Sequence, residues 1–458
     1  MDTVQVQATP DQIQSWLVSA TSGTPAHPAY YGMLMLGMAS QAYTDDGNVL
    51  TKQTVVEALQ TAIETPSITP PPPAASGGVV AGSWRLDWAA NSSDNANLVY
   101  IASFRAQNNP IYPDGAPYFY VVGIRGTDTS TGTTALLQQI FQDCQNFITA
   151  DWSTVLDGSW KDPLSKLVQQ VPLLPGKNDA SQFKGQNVVG GTARGFRKIA
   201  NLLSPALANP PSYWSSGTPV LLALQQLILH DPTPKNCPTP IVVTGHSLGA
   251  AQTQVMASYL QWQFAPSQVI PYCYAPPTAG DSNFIAYLTG TQCPGLQFYF
   301  NTADIVPFAY IEWQDKLGLL WAENELWQKY NWQPTGFPSG LAPIEGPPLP
   351  SILTTLINEL NPAVNMMSRP PSTMQFPLTL SVPSMPGQKP LPTFAQVLSI
   401  SEVMKLPTTT ASVTGGVAQL IWQHFPPCYQ GLIAATYDPS VVGPYNWVAY
   451  PPPPPMGR

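Results

Sequence analysis

Ser247 sits in the pentapeptide GHSLG, from Gly245 to Gly249. A serine hydroxyl becomes a useful nucleophile when a base takes its proton and the backbone holds it clear of its neighbours. Glycines two residues to either side permit a turn tight enough for the second condition. The same turn presents the N–H of Leu248 to an oxyanion forming at the attacked carbon. The plain alternative is an ordinary serine in a Gly-rich turn.

Four histidines are available as the base. His246 adjoins Ser247, so its side chain should diverge from the serine and pack at the base of the turn. His27, in TPAHPAY, and His230, in LILHDPTP, precede the serine beside turn formers and suit surface or capping roles. His424, in LIWQHFPPCYQGL, follows it, where a helix-like run ends in Pro426 and Pro427. A chain order of Ser, acid, His puts the base at His424 and the acid between the two. Asp304, in FYFNTADIVPFAY, comes directly after a strand-like run, at the end where α/β sheets display reactive groups. Asp281, Glu312, Asp315, Glu323, Glu325, Glu345, Glu359 and Glu402 compete for the role, but none is so clearly at a strand end. An aspartate there would fix the imidazole tautomer and stabilise the imidazolium; a cap or turn aspartate is the alternative.

These residues need elements to hold them. The run PIVVT before GHSLG reads as a strand, and AAQTQVMASYLQWQF after it has helical spacing. Further strand-like runs are 98–104 and 118–124, separated by turn formers and so read as a hairpin, then 269–274 and 296–301. Strands alternating with helices predict a mostly parallel sheet covered on both faces. Before it, 11–20, 28–43 and 53–64 read as three helices, with Asp11 and Thr51 as caps.

Proline, at 52 residues, is well above the usual share of about 5% and marks the boundaries. The run TPPPPAASGG, 69–78, separates an N-terminal helical region, 1–68, from a main domain, 79–450. A second Pro-rich stretch, 333–392, reads as an insertion in that domain, and PPPPPMGR, 451–458, as a frayed tail.

Composition excludes several partners. Charged residues are 10% of the chain and the net charge is -8, with no Lys/Arg cluster to neutralise successive phosphates, so nucleic acid is not an expected ligand. No apolar run approaches the roughly 20 residues of a spanning helix, and no transmembrane segment is expected. The first twenty residues do not read as a signal peptide, which leaves secreted and cytoplasmic locations both open. The five cysteines lack metal-ligand spacing, so no metal is expected; one disulfide stays possible.

Taken in order, VVGIRGT (Val121 to Thr127), ARGF (Ala193 to Phe196), VVTGHSLGAA (Val242 to Ala251), YAPPTAGDSNF (Tyr274 to Phe284), NTADIVP (Asn301 to Pro307) and HFPPCY (His424 to Tyr429) resemble the class 3 lipases. The resemblance implies an α/β-hydrolase fold, hydrolysis of acylglycerols or related esters without a cofactor, and Thr127 as a second oxyanion donor beside Leu248. Where many members carry a histidine before the x-Gly-Phe segment, this chain has Ala193. The family's lid region looks extended: 128–152 contains the amphipathic run ALLQQIFQDCQNF, either a lid that opens in transient contact with a lipid surface or a helix packed on the core.

The expectation is a Ser247, Asp304, His424 triad acting on a lipophilic ester through an acyl-enzyme. Phospholipase A1, feruloyl or short-chain esterase and acyltransferase activities on the same site remain open, as does a non-catalytic lipid-binding protein.

Overall fold

Four of the apolar runs fold as strands buried on both faces: PYFYVVGI, IVVTGH, VIPYCY and QFYFN. A strand that meets helices on either side has no polar face to show, which is why these runs lack alternation. A computed structural model of the chain describes residues 4–6, 12, 15, 17, 27–43, 52–64, 78–80, 82–92, 97–108, 113–126, 149–162, 170–177, 179–232, 238–265, 267–301, 304, 306–308, 367–378, 424, 426, 429 and 433.

The strands are β1 (Val4–Val6), β2 (Gly78–Val80), β3 (Gly82–Asn91), β4 (Leu98–Ala106), β5 (Pro117–Ile124), β6 (Thr149–Asp151), β7 (Asn187–Val189), β8 (Ile241–His246), β9 (Val269–Tyr274), β10 (Gln297–Asn301) and β11 (Gln375–Leu378). The helices are α1 (His27–Gln41), α2 (Lys52–Glu64), α3 (Trp152–Leu156), α4 (Gly190–Asn201), α5 (Val220–Leu229), α6 (Leu248–Phe264) and α7 (Ser282–Tyr287). Seven strands form the main sheet in the order β11-β10-β9-β8-β5-β4-β3. The five from β5 to β11 are parallel, while β3, β4 and β5 form an antiparallel meander that contains the expected hairpin. With helices on both faces, this is an α/β-hydrolase fold.

Each face of the sheet has its own core. On the α6 face, Val255 and Met256 of that helix pack in one cluster with Val122, Ile124, Val243 and Phe196. The α1 face gathers Leu36, Met38, Tyr100, Tyr272, Tyr274 and Tyr299. The α1 side is tied to the sheet by polar bonds as well as burial. The Tyr274 hydroxyl donates to Gly32 O, Thr244 Oγ1 to Met35 O at 3.0 Å, and the Tyr100 hydroxyl to Met38 O at 2.5 Å. Acceptors three residues apart lie on one stripe of a helix, so the three bonds fix the rotation and height of α1 over the sheet. At Gly32 an added Cβ would come within 2.6 Å of the Tyr299 hydroxyl oxygen, so glycine is what allows α1 so close.

Two predicted helices fall at His27–Gln41 and Lys52–Glu64, close to their expected bounds, and residues 12, 15 and 17 of the first are helical. The caps Asp11 and Thr51 lie outside the described residues. Strand β11 forms inside the Pro-rich stretch 333–392, where no strand was expected. It is an edge strand, and there Pro377 needs no second ladder partner. Of the candidate lid, 128–148 lies outside the described residues. Its end is fixed: β6 pairs with β7, and Trp152 is fully buried against Phe196 and Phe284. Among the described residues no helix is long and apolar enough to cross a membrane.

Candidate active site

Strand β8 ends at His246 and α6 begins at Leu248, leaving Ser247 alone to turn the chain. It does so at φ 59°, ψ -131°, a conformation that costs a non-glycine residue on the order of 1–3 kcal/mol and has to be held by its surroundings. Ser247 N–H donates to Tyr274 O at 2.9 Å, and Ser247 O accepts from Ala250 N–H at 2.8 Å. The glycines supply room. A Cβ on Gly249 would lie 2.5 Å from Ile124 O and 2.7 Å from Gly126 N, and one on Gly245 would overlap the Gly249 carbonyl. The start of α6 is therefore pressed against the end of β5, where the RGT segment begins.

Asp304 and His424 converge on this turn. Asp304 follows β10, with its N–H on Asn301 O at 3.0 Å and its Oδ1 accepting from Val306 N–H at 3.0 Å. Its Oδ2 lies 2.8 Å from His424 Nδ1, and His424 Nε2 lies 2.7 Å from Ser247 Oγ. With Nδ1–H donating to the carboxylate, the Nε2 lone pair faces the serine hydroxyl. Ser247 and His424 are each 4% exposed and Asp304 1%, so the relay is shielded from water.

The structure thus brings Ser247, Asp304 and His424 into one hydrogen-bonded line. Leu248 opens α6, where the first N–H groups of a helix have no intrahelical acceptor. Thr127 lies outside the described residues, one position beyond Gly126. His246 diverges from Ser247 as expected. Buried, it lies edge-on to Tyr43 and Tyr429, and its Nε2–H donates to the backbone carbonyl of His424 at 2.6 Å. Burial first, and then the neighbouring imidazole of His424, hold His246 well below its ordinary pKa, so it stays neutral and keeps that proton.

Two tyrosines join the site without having been singled out by the sequence, although Tyr429 closes the quoted motif HFPPCY. Tyr429 donates its O–H to Asp304 Oδ2 at 2.8 Å and accepts from Asn301 N–H at 3.0 Å. Tyr43, just past α1, lies against Gly126 and His246. A phenol has no recognisable spacing to its partners when they are 83 and 203 residues away.

Residues 121–312, which hold Ser247 and Asp304, match the family model described as lipase (class 3). That segment, 121–312, is of the class 3 lipase family. It is a lipase-type hydrolase of ester bonds. Among solved structures this lipase is similar to one titled M37 lipase, at 16% identity over 90% of this chain and 97% of that one, with a TM-score of 0.49. It is also similar to lipase II from Rhizopus niveus, at 17% identity over 66% and 76% of the two chains with a TM-score of 0.33. A lipase from Rhizopus microsporus var. chinensis shares 17% identity over 66% and 70%, with a TM-score of 0.31. Comparison with curated proteins gives no match.

Proposed function

We propose that this lipase cleaves esters of lipophilic acyl groups, acylglycerols among them, through an acyl-enzyme on Ser247. The observation that carries the reading is the unbroken relay from Ser247 Oγ to His424 Nε2 and from His424 Nδ1 to Asp304 Oδ2, at 2.7 and 2.8 Å. Ser247 Oγ attacks the ester carbonyl as His424 Nε2 takes its proton, and Asp304 stabilises the imidazolium without accepting that proton. The tetrahedral oxyanion rests on the N–H of Leu248 and on Thr127. Collapse expels the alcohol, which leaves with the proton from His424. Water, deprotonated by the same nitrogen, then attacks the acyl-enzyme and releases the acid.

A covered serine needs an opening before an ester carbonyl can reach it. Ser247 at 4% exposure supports a lid, and the candidate segment 128–152 is the one we assign to it. Such a lid opens where its apolar side finds a lipid surface, so the substrate is presented at an interface.

The test is hydrolysis of p-nitrophenyl esters from acetate to palmitate, and of emulsified triacylglycerol, by the wild type and by Ser247→Ala. The expected result is activity that favours medium or long acyl chains, rises sharply above substrate solubility and disappears in the variant. Equal activity in both proteins would overturn the nucleophile assignment. Wild-type activity confined to acetate would overturn the acyl class, and smooth saturation through the solubility limit would overturn the lid.

A further inference from the structure

The peptide joining His246 to Ser247 has to be held at an angle that gives the serine its positive φ. Its N–H end is fixed by the bond from Ser247 to Tyr274 O at 2.9 Å. Its carbonyl end, His246 O, accepts a long hydrogen bond from the Tyr43 hydroxyl at 3.4 Å. The same hydroxyl oxygen accepts from Gly126 N–H at 3.0 Å. One phenol therefore bridges the residue before the nucleophile and the residue before Thr127. The segments approach closely here: a Cβ on Gly126 would lie 2.5 Å from His246 O and 2.7 Å from the Tyr43 hydroxyl oxygen.

We propose that Tyr43 is a positioning residue of this active site: its hydroxyl sets the spacing between the Ser247 elbow and Gly126, and so where the Leu248 N–H sits as an oxyanion donor. Tyr43 lies outside residues 121–312, the part that matches the family model, so the N-terminal segment supplies a constraint to chemistry performed by the family core. The phenol can act as a spacer because α1 is pinned to the sheet by the bonds at Gly32 and Met35. The turn that follows is closed by Tyr43 N–H on Ser40 O at 3.0 Å. The bonds are made to backbone, so the hydroxyl acts on where two chain segments sit and touches no substrate. Donors displaced by part of an ångström still bind a neutral ester but serve the tetrahedral oxyanion less well.

The proposal rests on Ser247 as nucleophile, and its experiment separates the two. Full-length wild type, Tyr43→Phe, Tyr100→Phe and Ser247→Ala are compared for kcat and KM on p-nitrophenyl octanoate, and for inhibition by phenylethaneboronic acid as a tetrahedral analogue. Tyr43→Phe should lower kcat by about 10- to 100-fold with KM within twofold. Its affinity for the boronate should fall in parallel. Tyr100→Phe removes a buried hydroxyl from the same helix, at Met38 O, and should lower the melting temperature while leaving kcat and boronate affinity unchanged. An active wild type and inactive Ser247→Ala, with Tyr43→Phe equal to wild type, would overturn the role of Tyr43 alone. So would an equal kcat loss in Tyr100→Phe, which would mark general loosening of α1. Activity in Ser247→Ala would overturn the catalytic reading itself. Should Tyr43→Phe not fold, 3,5-difluorotyrosine at position 43 keeps the ring and hydroxyl but weakens the oxygen as an acceptor; a smaller drop of the same kind is expected, and none would overturn the proposal.

Discussion

Tyr429 and His424 share one oxygen: both reach Asp304 Oδ2 at 2.8 Å, the phenol from one direction and the imidazole Nδ1 from another. The carboxylate is held by three further features, the Val306 N–H on Oδ1, its own N–H on Asn301 O, and the bond that ties Tyr429 to Asn301 N–H. Removing the phenol leaves a buried carboxylate with one fewer donor. Hydrogen bonds to charged groups are worth about 1.5–3 kcal/mol, so Tyr429→Phe should lose on the order of that stability and about tenfold in kcat. Urea denaturation and steady-state kinetics check both; unchanged values would mean that Asp304 is held by its backbone bonds alone.

Asp304→Asn keeps the shape of the acid but puts an amide where His424 Nδ1–H needs an acceptor, which favours the wrong tautomer. The expected loss in kcat is about 10³- to 10⁴-fold, by analogy with the same change in other Ser-His-Asp sites. A fold unchanged by circular dichroism should accompany it. Activity within tenfold of wild type would remove Asp304 from the triad.

The elbow tolerates no side chain at Gly249. Its Cβ would meet Ile124 O and Gly126 N on the neighbouring strand, neither of which is a flexible side-chain end. Gly249→Ala should separate α6 from β5, costing more than about 2 kcal/mol by overpacking and at least a hundredfold in kcat. Differential scanning calorimetry and ester hydrolysis give the two readouts, and a variant with wild-type values in both would show that the helix start can move freely.

His246 makes stability depend on pH. Its folded pKa lies well below 6.5, chiefly through burial, while the unfolded chain takes up a proton near 6.5. Below that pH the unfolded state binds a proton that the native state refuses, so stability falls as pH falls, by up to about 1.4 kcal/mol per unit. Above pH about 7.5 the group contributes no slope. Denaturation of wild type and His246→Asn at pH 7.5, 6.5 and 5.5 should show a steeper decline in the wild type; parallel curves would rule the histidine out as its source.

Cys273 and Cys293 are free and fully buried, and burial raises both thiol pKa values. Thiolate, the reactive form, is therefore scarce as well as inaccessible. Iodoacetamide should leave both unmodified in the native lipase and modify both in 6 M guanidinium, read by peptide mass spectrometry. Labelling of either under native conditions would mean that the β9–β10 region opens readily.

The sequence made the line Ser247, Asp304, His424 legible because chemistry restricts which residue types can serve and the fold restricts their order. Strand β3, GSWRLDWAAN, was not legible: Arg85 and Asp87 break its apolar run, yet they pair with each other and Arg105 pairs with Asp87 in the folded state. Strand β11 was hidden by the prolines around it, which a central strand would exclude and an edge strand accepts. Tyr43 was invisible for a different reason, and Tyr429, though part of HFPPCY, carried no sign of its role. Tyr43 acts on backbone groups and Tyr429 on the Asp304 carboxylate and Asn301 N–H, all in distant segments, and a phenol carries no mark of what it will touch.

Ser247 and His424 stand 177 residues apart in the chain. During synthesis Ser247 emerges first, and at about 5–20 residues per second His424 follows it on the order of 10–35 s later. In that interval the growing chain holds β3 to β10 and the elbow, but Ser247 lacks the His424 imidazole that the proposed mechanism requires. On the proposed mechanism, a ribosome-bound or C-terminally truncated lipase is inert toward the membrane lipids around it. On that mechanism competence waits for the segment that carries His424, so the order of nucleophile and base along the polypeptide delays activity until the sheet that holds Ser247 has been made.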